Sequence, residues 1–409
     1  MSNRDNAFGD LMRKLRERRH LSFRALGALT MYAPTSLHHI EKGERPPTTD
    51  VATRLDDVLQ ADGALLAAAA EAALQRLLNA AAQESTDLVR WVSEEPVVGI
   101  SQDGLVRDLS SIARDYVHRP PLPLLTNLLR LREQAAQQLE RARRLQRRRE
   151  LALLGAVAVQ LLGELTDDLA GNSEAAMRHA VAAELLAQEA AHPGLCAWVA
   201  GTKALIAEWS PEPHTALDII VDAAEWAPQG DYRVRLFALQ ARCAGRLGDI
   251  GLARSAALRT VAAAEQARDT PDEVTMFGGA LTFPHAKMAY YLCCAYQSIG
   301  DHQHAERWAQ DAIGQYTSGP PEHRSYGDEA LARVSLSLSR IARDEFEGAR
   351  EILSPVLELP TEQRITAIME GMNTVTAAIR EHRHAQAPVA HDLHETIRGY
   401  TAHSTAALP

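Results

Sequence analysis

The sequence predicts an all-α protein, on three observations. Hydrophobic residues make up 46% of the chain and aromatic residues only 5%. Val, Ile, Thr and the aromatics are not gathered into the alternating runs that strands need. From about Leu151 onward the chain repeats a unit of helix, tight turn and helix, which predicts an α-solenoid. A chain of 409 residues holds two or three domains. We place them at 1–78, an amino-terminal helical domain; 79–150, a helical connection with a basic helix; 151–382, the repeat domain; and 383–409, a tail without fixed order.

Between Leu21 and Gly43 the chain reads as two short helices across a turn. Ser22 is placed to cap the first, with Leu26 and Leu29 inward. Pro34 suits the first position of the second, with Leu37 and Ile40 inward. Ala33, just before it, offers no capping oxygen, at a cost of about 0.5–2 kcal/mol that Pro34 partly offsets. The outward side of this second helix carries Thr35, Ser36, His38, His39 and Lys42, residue types that read base edges and hold phosphates. Phe8, Leu11, Met12 and Leu15 give a preceding helix its inward stripe. GERPPTTDVATRL reads as a loop, a Thr cap and a further helix closed by Val51, Leu55, Val58 and Leu59. An Ala-rich helix follows from Leu65 to Leu78.

Leu21-Ser22, Leu26, Gly27, Leu37, Ile40, Glu41 and Gly43 fall at the spacings of the Xre/Cro-type helix-turn-helix of bacterial and phage repressors, and the first 70 or so residues resemble that family. Met31 stands in the turn, where the family often has Gly. The resemblance implies a lambda-repressor-like domain that binds double-stranded DNA through Pro34, Thr35, Ser36, His38, His39, Lys42 and Arg45. Thr35 and His39 would face bases, while Lys42 and Arg45 would hold phosphates. It also implies that Arg16 pairs with Glu41. Charge is divided accordingly: up to Pro46 nine cations stand against five anions, giving +4, so the remainder carries −14 to reach the total of −10. Such a division directs DNA to the amino-terminal tip.

Residues from Asn79 to Pro123 carry little signal, with Trp91, Pro96, Gly99 and Gly104 interrupting any period. The run from Arg130 to Arg149 is the densest in cations and reads as a solvated helix face, with a second DNA-backbone contact as the other option. Beyond it, AYYLCCAYQSIGDHQHAERWAQDAI places Leu292, Cys293, Tyr296, Gly300-Asp301, Ala305, Ala309 and Ala312 as in the tetratricopeptide repeat, which this unit resembles. Weaker copies centre on Gly171-Asn172, Gly248-Asp249 and Arg343-Asp344, and another turns at Pro211 to Pro213. Connections such as Thr270 to Thr282 are longer than in regular arrays.

The repeat register places Arg235, Arg242 and Arg246 on the concave side of one unit, Lys287 and Tyr290 in the next and Arg333 in a third. A cationic groove in an acidic domain suggests a peptide or a small anionic effector; the other reading is that these cations answer carboxylates on neighbouring helices. The tail has His382, His384, His391, His394 and His403 without the ligand spacing of a metal site. No catalytic constellation, metal framework or cofactor loop is present in the sequence. Cys196, Cys243, Cys293 and Cys294 read as small apolar residues. No signal peptide or spanning segment is evident, so a cytoplasmic protein without membrane contact is expected.

Together these features resemble bacterial regulators that join an Xre-type domain to tetratricopeptide repeats. They predict a homodimeric, non-enzymatic, sequence-specific transcription regulator. The alternative is a tetratricopeptide scaffold or adaptor with a degenerate helix-turn-helix.

Overall fold

The computed structural model describes residues 6–91, 102–210, 212–266 and 272–402. Pro96, Gly99, Pro211, Thr270 and His403 lie outside them. Among the described residues there are nineteen α-helices, four short 3-10 turns and no strand. They divide into two compact units, one up to Ala80 and the other from Ala81.

The first unit is built from α1 (Ala7–Arg18), α2 (Phe23–Thr30), α3 (Pro34–Glu41), α4 (Thr49–Leu59) and the first part of α5 (Ala64–Trp91). Phe8, Met12, Leu26, Leu37, Ile40, Leu55, Leu59 and Leu65 make its core. Starts and stops follow from the side chains. The Ser22 hydroxyl accepts from Ala25 N at 3.1 Å and Thr48 Oγ1 from Val51 N at 3.4 Å, satisfying donors that a helix start leaves free. The Asp56 carboxylate does the same for α5, accepting from Gly63 N at 2.7 Å and Leu65 N at 2.8 Å. One inward residue was misplaced by the periodicity: Leu29 is exposed. The inward stripe of α2 is instead Leu26, Gly27 and Thr30, because a Cβ on Gly27 would lie 2.8 Å from Tyr32 O as the chain doubles back.

The second unit contains α6 (Gln102–Tyr116), α7 (Leu122–Arg141) and then six helix pairs. The pairs are α8 (Leu145–Ala170) with α9 (Ser173–Glu189), α10 (Pro193–Glu208) with α11 (His214–Trp226), and α12 (Asp231–Arg246) with α13 (Ile250–Gln266). After them come α14 (His285–Ser298) with α15 (His302–Ser318), α16 (Tyr326–Ala342) with α17 (Phe346–Leu357), and α18 (Thr366–Glu381) with α19 (Pro388–Ala402). The turns share a physical cause. Gly171, Gly248, Gly300 and Asp344 take positive φ values of 54°, 77°, 73° and 68°, which end a helix. Asn172, Asp249 and Asp301 then follow directly and cap the next one. Small residues line the seams: Ala305, Ala309 and Ala312 are fully buried.

Three expectations change here. The tail is not without order, since residues 388–402 form α19, which buries Ala390, Leu393, Ile397 and Tyr400 against the last core. The basic run is not one solvated helix: it is split between α7 and α8. Within it Arg132 is buried, donating to Ala81 O at 2.9 Å and pairing with Glu84. Nor is the concave side an open trough, because α18 packs back onto α8 and the row of first helices closes on itself. Helix α6 packs on α8 and on the 3-10 turns Thr275–Phe277 and Gly279–Leu281. Gly279 is required there, as a Cβ would lie 2.0 Å from Ala113 O.

Carboxylates gather where α8 meets α18, α16 and α6. Tyr116 Oη donates to Asp168 Oδ2 at 2.7 Å. Burial, with Asp167, Glu164 and Asp328 nearby, pushes Asp168 up to about 7. Burial and then Glu370 push Asp167 up to about 6. The folded chain therefore holds these protons more tightly than the unfolded chain, so the stability they confer is complete below about pH 4 and is lost as pH rises through 6 to 7. Asp168→Asn is expected to raise the melting temperature at pH 8 and flatten its fall between pH 5 and 8 in a thermal denaturation series. An unchanged pH profile would remove Asp168 from this account.

Candidate nucleic-acid interface

Helix α3 has one face inside and one outside. Leu37, Ile40 and Glu41 are buried, while Pro34, Thr35, His38, His39, Lys42 and Arg45 are exposed and Ser36 is half-buried. All seven residues proposed from the sequence thus sit on or beside one short helix. Ala33 makes no side-chain cap, and Pro34 occupies the first turn. The turn before it passes through Met31, whose φ is 65°. A side chain in this region is uncommon outside Gly and Asn; that of Met31 points to solvent with 83% exposure.

The inner face is held by charge. Arg16 Nε and Nη2 donate to Glu41 Oε2 and Oε1 at 2.7 and 2.8 Å, a bidentate pair. Arg16 Nη1 also donates to Leu21 O at 3.1 Å, and its guanidinium lies 4.5 Å from the Phe23 ring centroid. One arginine therefore ties α1 to the start of α2 and the end of α3. Asn6 Nδ2 donates to Glu41 O at 3.0 Å, and Gly9 lets α1 approach, since a Cβ there would lie 2.2 Å from the same oxygen.

The outer face is partly organised before any ligand arrives. Arg45 Nη1 donates to Ser36 Oγ at 3.1 Å. His39 Nδ1 lies 2.5 Å from Glu44 Oε2, and the neighbouring His39, His38 and Lys42 hold the Glu44 carboxyl below the usual range, the His39 hydrogen bond first. The rings of Phe23, His38 and His39 stand edge to face in a row. Sequence reasoning missed Glu44. Its signal was a carboxylate three residues past the helix end among cations.

The residues placed in the concave groove are brought to the inner face of the second unit, but not as free cations. Arg235 is buried, donates to Trp198 O at 2.5 Å and Thr202 Oγ1 at 2.9 Å, and lies 3.8 Å from Glu164. Arg242 and Arg246 share Glu208 at 2.9 and 3.5 Å. Lys287 faces Asp328 at 3.6 Å, and Arg333 is held by Glu329 of its own helix at 2.8 Å. Tyr290 is buried. The inner face is thus charge-balanced rather than cationic. Only Arg246, 34% exposed and 3.6 Å from the ring centroid of the exposed Trp209, keeps appreciable surface.

Two outcomes follow from these pairs. Arg16→Ala leaves Glu41 buried without its partner and is expected to cost about 3 kcal/mol, read as lost hydrogen-exchange protection in α3; the double change Arg16→Met with Glu41→Leu recovers most of it. Arg235→Ala is expected to lower the melting temperature of the second unit, whereas Arg246→Ala leaves it nearly unchanged because Arg242 still answers Glu208. Equal effects would show that the two arginines have the same role.

No curated protein and no solved structure matches the chain. No helix among the described residues is long and apolar enough to cross a membrane. Residues 7–69 match a helix-turn-helix domain family, and they span α1 to α4 and the start of α5. The first unit carries a helix-turn-helix domain.

Proposed function

We propose that this chain is a cytoplasmic, bacterial, sequence-specific transcription regulator of the Xre type that binds double-stranded DNA through α3. The observation that carries the reading is the two-sidedness of that helix. Its inner face is locked by Arg16 and Glu41, and its outer face presents Thr35, His39, Lys42 and Arg45 to solvent. A helix held by its neighbours and exposed along a polar side has the geometry that enters a major groove.

We read the helix pairs of the second unit as tetratricopeptide-like. Support comes from the recurrence of a left-handed residue followed by a capping Asn or Asp at three of the turns. One reading head touches few bases, so a homodimer on an inverted-repeat operator is the expected assembly, with pairing through the second unit. A peptide or small anionic effector is proposed to act through that unit. The internal pairing of Arg235, Arg242, Lys287 and Arg333 gives them a structural role, which leaves Arg246 beside Trp209 as the accessible anchor for a ligand carboxylate.

The test is a salt-dependent binding series on the DNA upstream of the chain's own gene. Thr35→Ala or His39→Ala is expected to relax sequence preference and cost about 1–3 kcal/mol on the specific site. Lys42→Ala or Arg45→Ala is expected to weaken all DNA alike and to reduce the salt slope by about 1 each. Unaltered site preference in the Thr35 and His39 variants would remove α3 as the reading helix.

A further inference from the structure

Helix α3 ends in a fully formed Schellman motif. Lys42 is the last near-helical residue, and Gly43 follows with φ 76°. Gly43 N donates to Ile40 O at 3.0 Å and Glu44 N to His39 O at 2.9 Å, the two bonds that define the motif. The Glu44 N bond places the residue two past the cap beside the one three before it, and their side chains usually meet through an apolar contact. In this chain the two side chains are Glu44 and His39, with Nδ1 and Oε2 2.5 Å apart. Backbone geometry rather than a chance surface encounter brings them together.

An ionised carboxylate only accepts hydrogen bonds. The nitrogen that faces it, Nδ1, must therefore carry the proton, and Nε2 is left as the free atom of the ring. A neutral imidazole held this way presents an acceptor at Nε2; a protonated one presents a donor. In the major groove an acceptor suits the amino groups of adenine N6 and cytosine N4, whereas a donor suits guanine N7 and O6. The titratable and charged groups that surround the pair are His38, whose ring lies 5.8 Å from that of His39, Lys42, and Arg45 on Ser36. Glu41, on the inner side of α3, is occupied by Arg16 and Arg13 of α1.

We propose that Glu44 is a positioning residue that fixes the Nδ1–H tautomer of His39 and so decides which base edge α3 reads, an amino-bearing one that can donate to Nε2. This rests on the DNA-binding reading above and deepens it.

Two measurements test it, and they fail separately. Long-range proton–nitrogen NMR of the labelled full chain without DNA is expected to show His39 as the Nδ1–H form at pH 8 and a mixture of forms in Glu44→Gln. An Nε2–H form in the unaltered chain overturns the proposal whatever DNA does. Selection of binding sequences from a random duplex pool at pH 8 is then expected to favour adenine or cytosine over guanine at one position per half-site by about tenfold in the unaltered chain, and to lose that preference in Glu44→Gln. A preference that Glu44→Gln leaves unchanged overturns the proposal while leaving DNA recognition intact; a pool from which nothing is selected overturns both.

Discussion

The bidentate pair between Arg16 and Glu41 decides where α3 points, and everything on its outer face inherits that direction. A pair this enclosed orients more than it stabilises, because desolvating two charges offsets most of their attraction. Its value lies in geometry: a guanidinium has one fork, and here the fork is shared among the Glu41 carboxylate, the Leu21 carbonyl and the face of Phe23. An apolar contact at the same place would let α3 roll about its axis. With the fork engaged, the exposed residues from Thr35 to Lys42 stay on the solvent side.

The second unit uses charge in the same way on a larger scale. Arg235 with Glu164, Arg242 with Glu208 and Lys287 with Asp328 each join first helices of different pairs. Closure of the row, α18 upon α8, encloses these groups, and an unanswered charge in such a place would cost several kcal/mol. The carboxylates opposite the cations are thus a condition of closing the row. The excess at the seam, where Asp167, Asp168 and Glu370 meet, is relieved by protons instead.

This explains which parts of the structure were legible in the sequence. Turns were legible because their cause is local: Gly171-Asn172, Gly248-Asp249 and Gly300-Asp301 announce a left-handed stop and a cap in two adjacent letters. The first unit was legible because its core repeats at helical spacing and because a resemblance supplied the partner of Arg16. Leu29 was misread since an eight-residue helix offers too few turns to define its inner side. The pairing of the groove cations was not legible, because the carboxylates that answer two of them come from helices more than thirty residues away, Glu208 for Arg242 and Asp328 for Lys287. Helix α19 was hidden by its histidines, although Ala390, Leu393, Ile397 and Tyr400 recur at helical spacing and Pro388 opens it.

Charge is used in opposite ways in the two units. In the second, Arg235, Arg242 and Lys287 are turned inward and answered by Glu164, Glu208 and Asp328, which leaves its net charge unchanged. In the first, Arg16 is committed to the interior against Glu41, while Lys42 and Arg45 remain exposed at the end of α3. Because such pairs cancel one for one, the division of +4 up to Pro46 against −14 beyond it is unaltered by them. On the DNA-binding reading proposed above, repulsion from the acidic unit and attraction at the α3 surface would both act on an approaching duplex. Such fields act only over about a Debye length, roughly 8 Å in physiological salt. On that reading, orientation would be won late in the encounter, at the separation where the contacts proposed for α3 form.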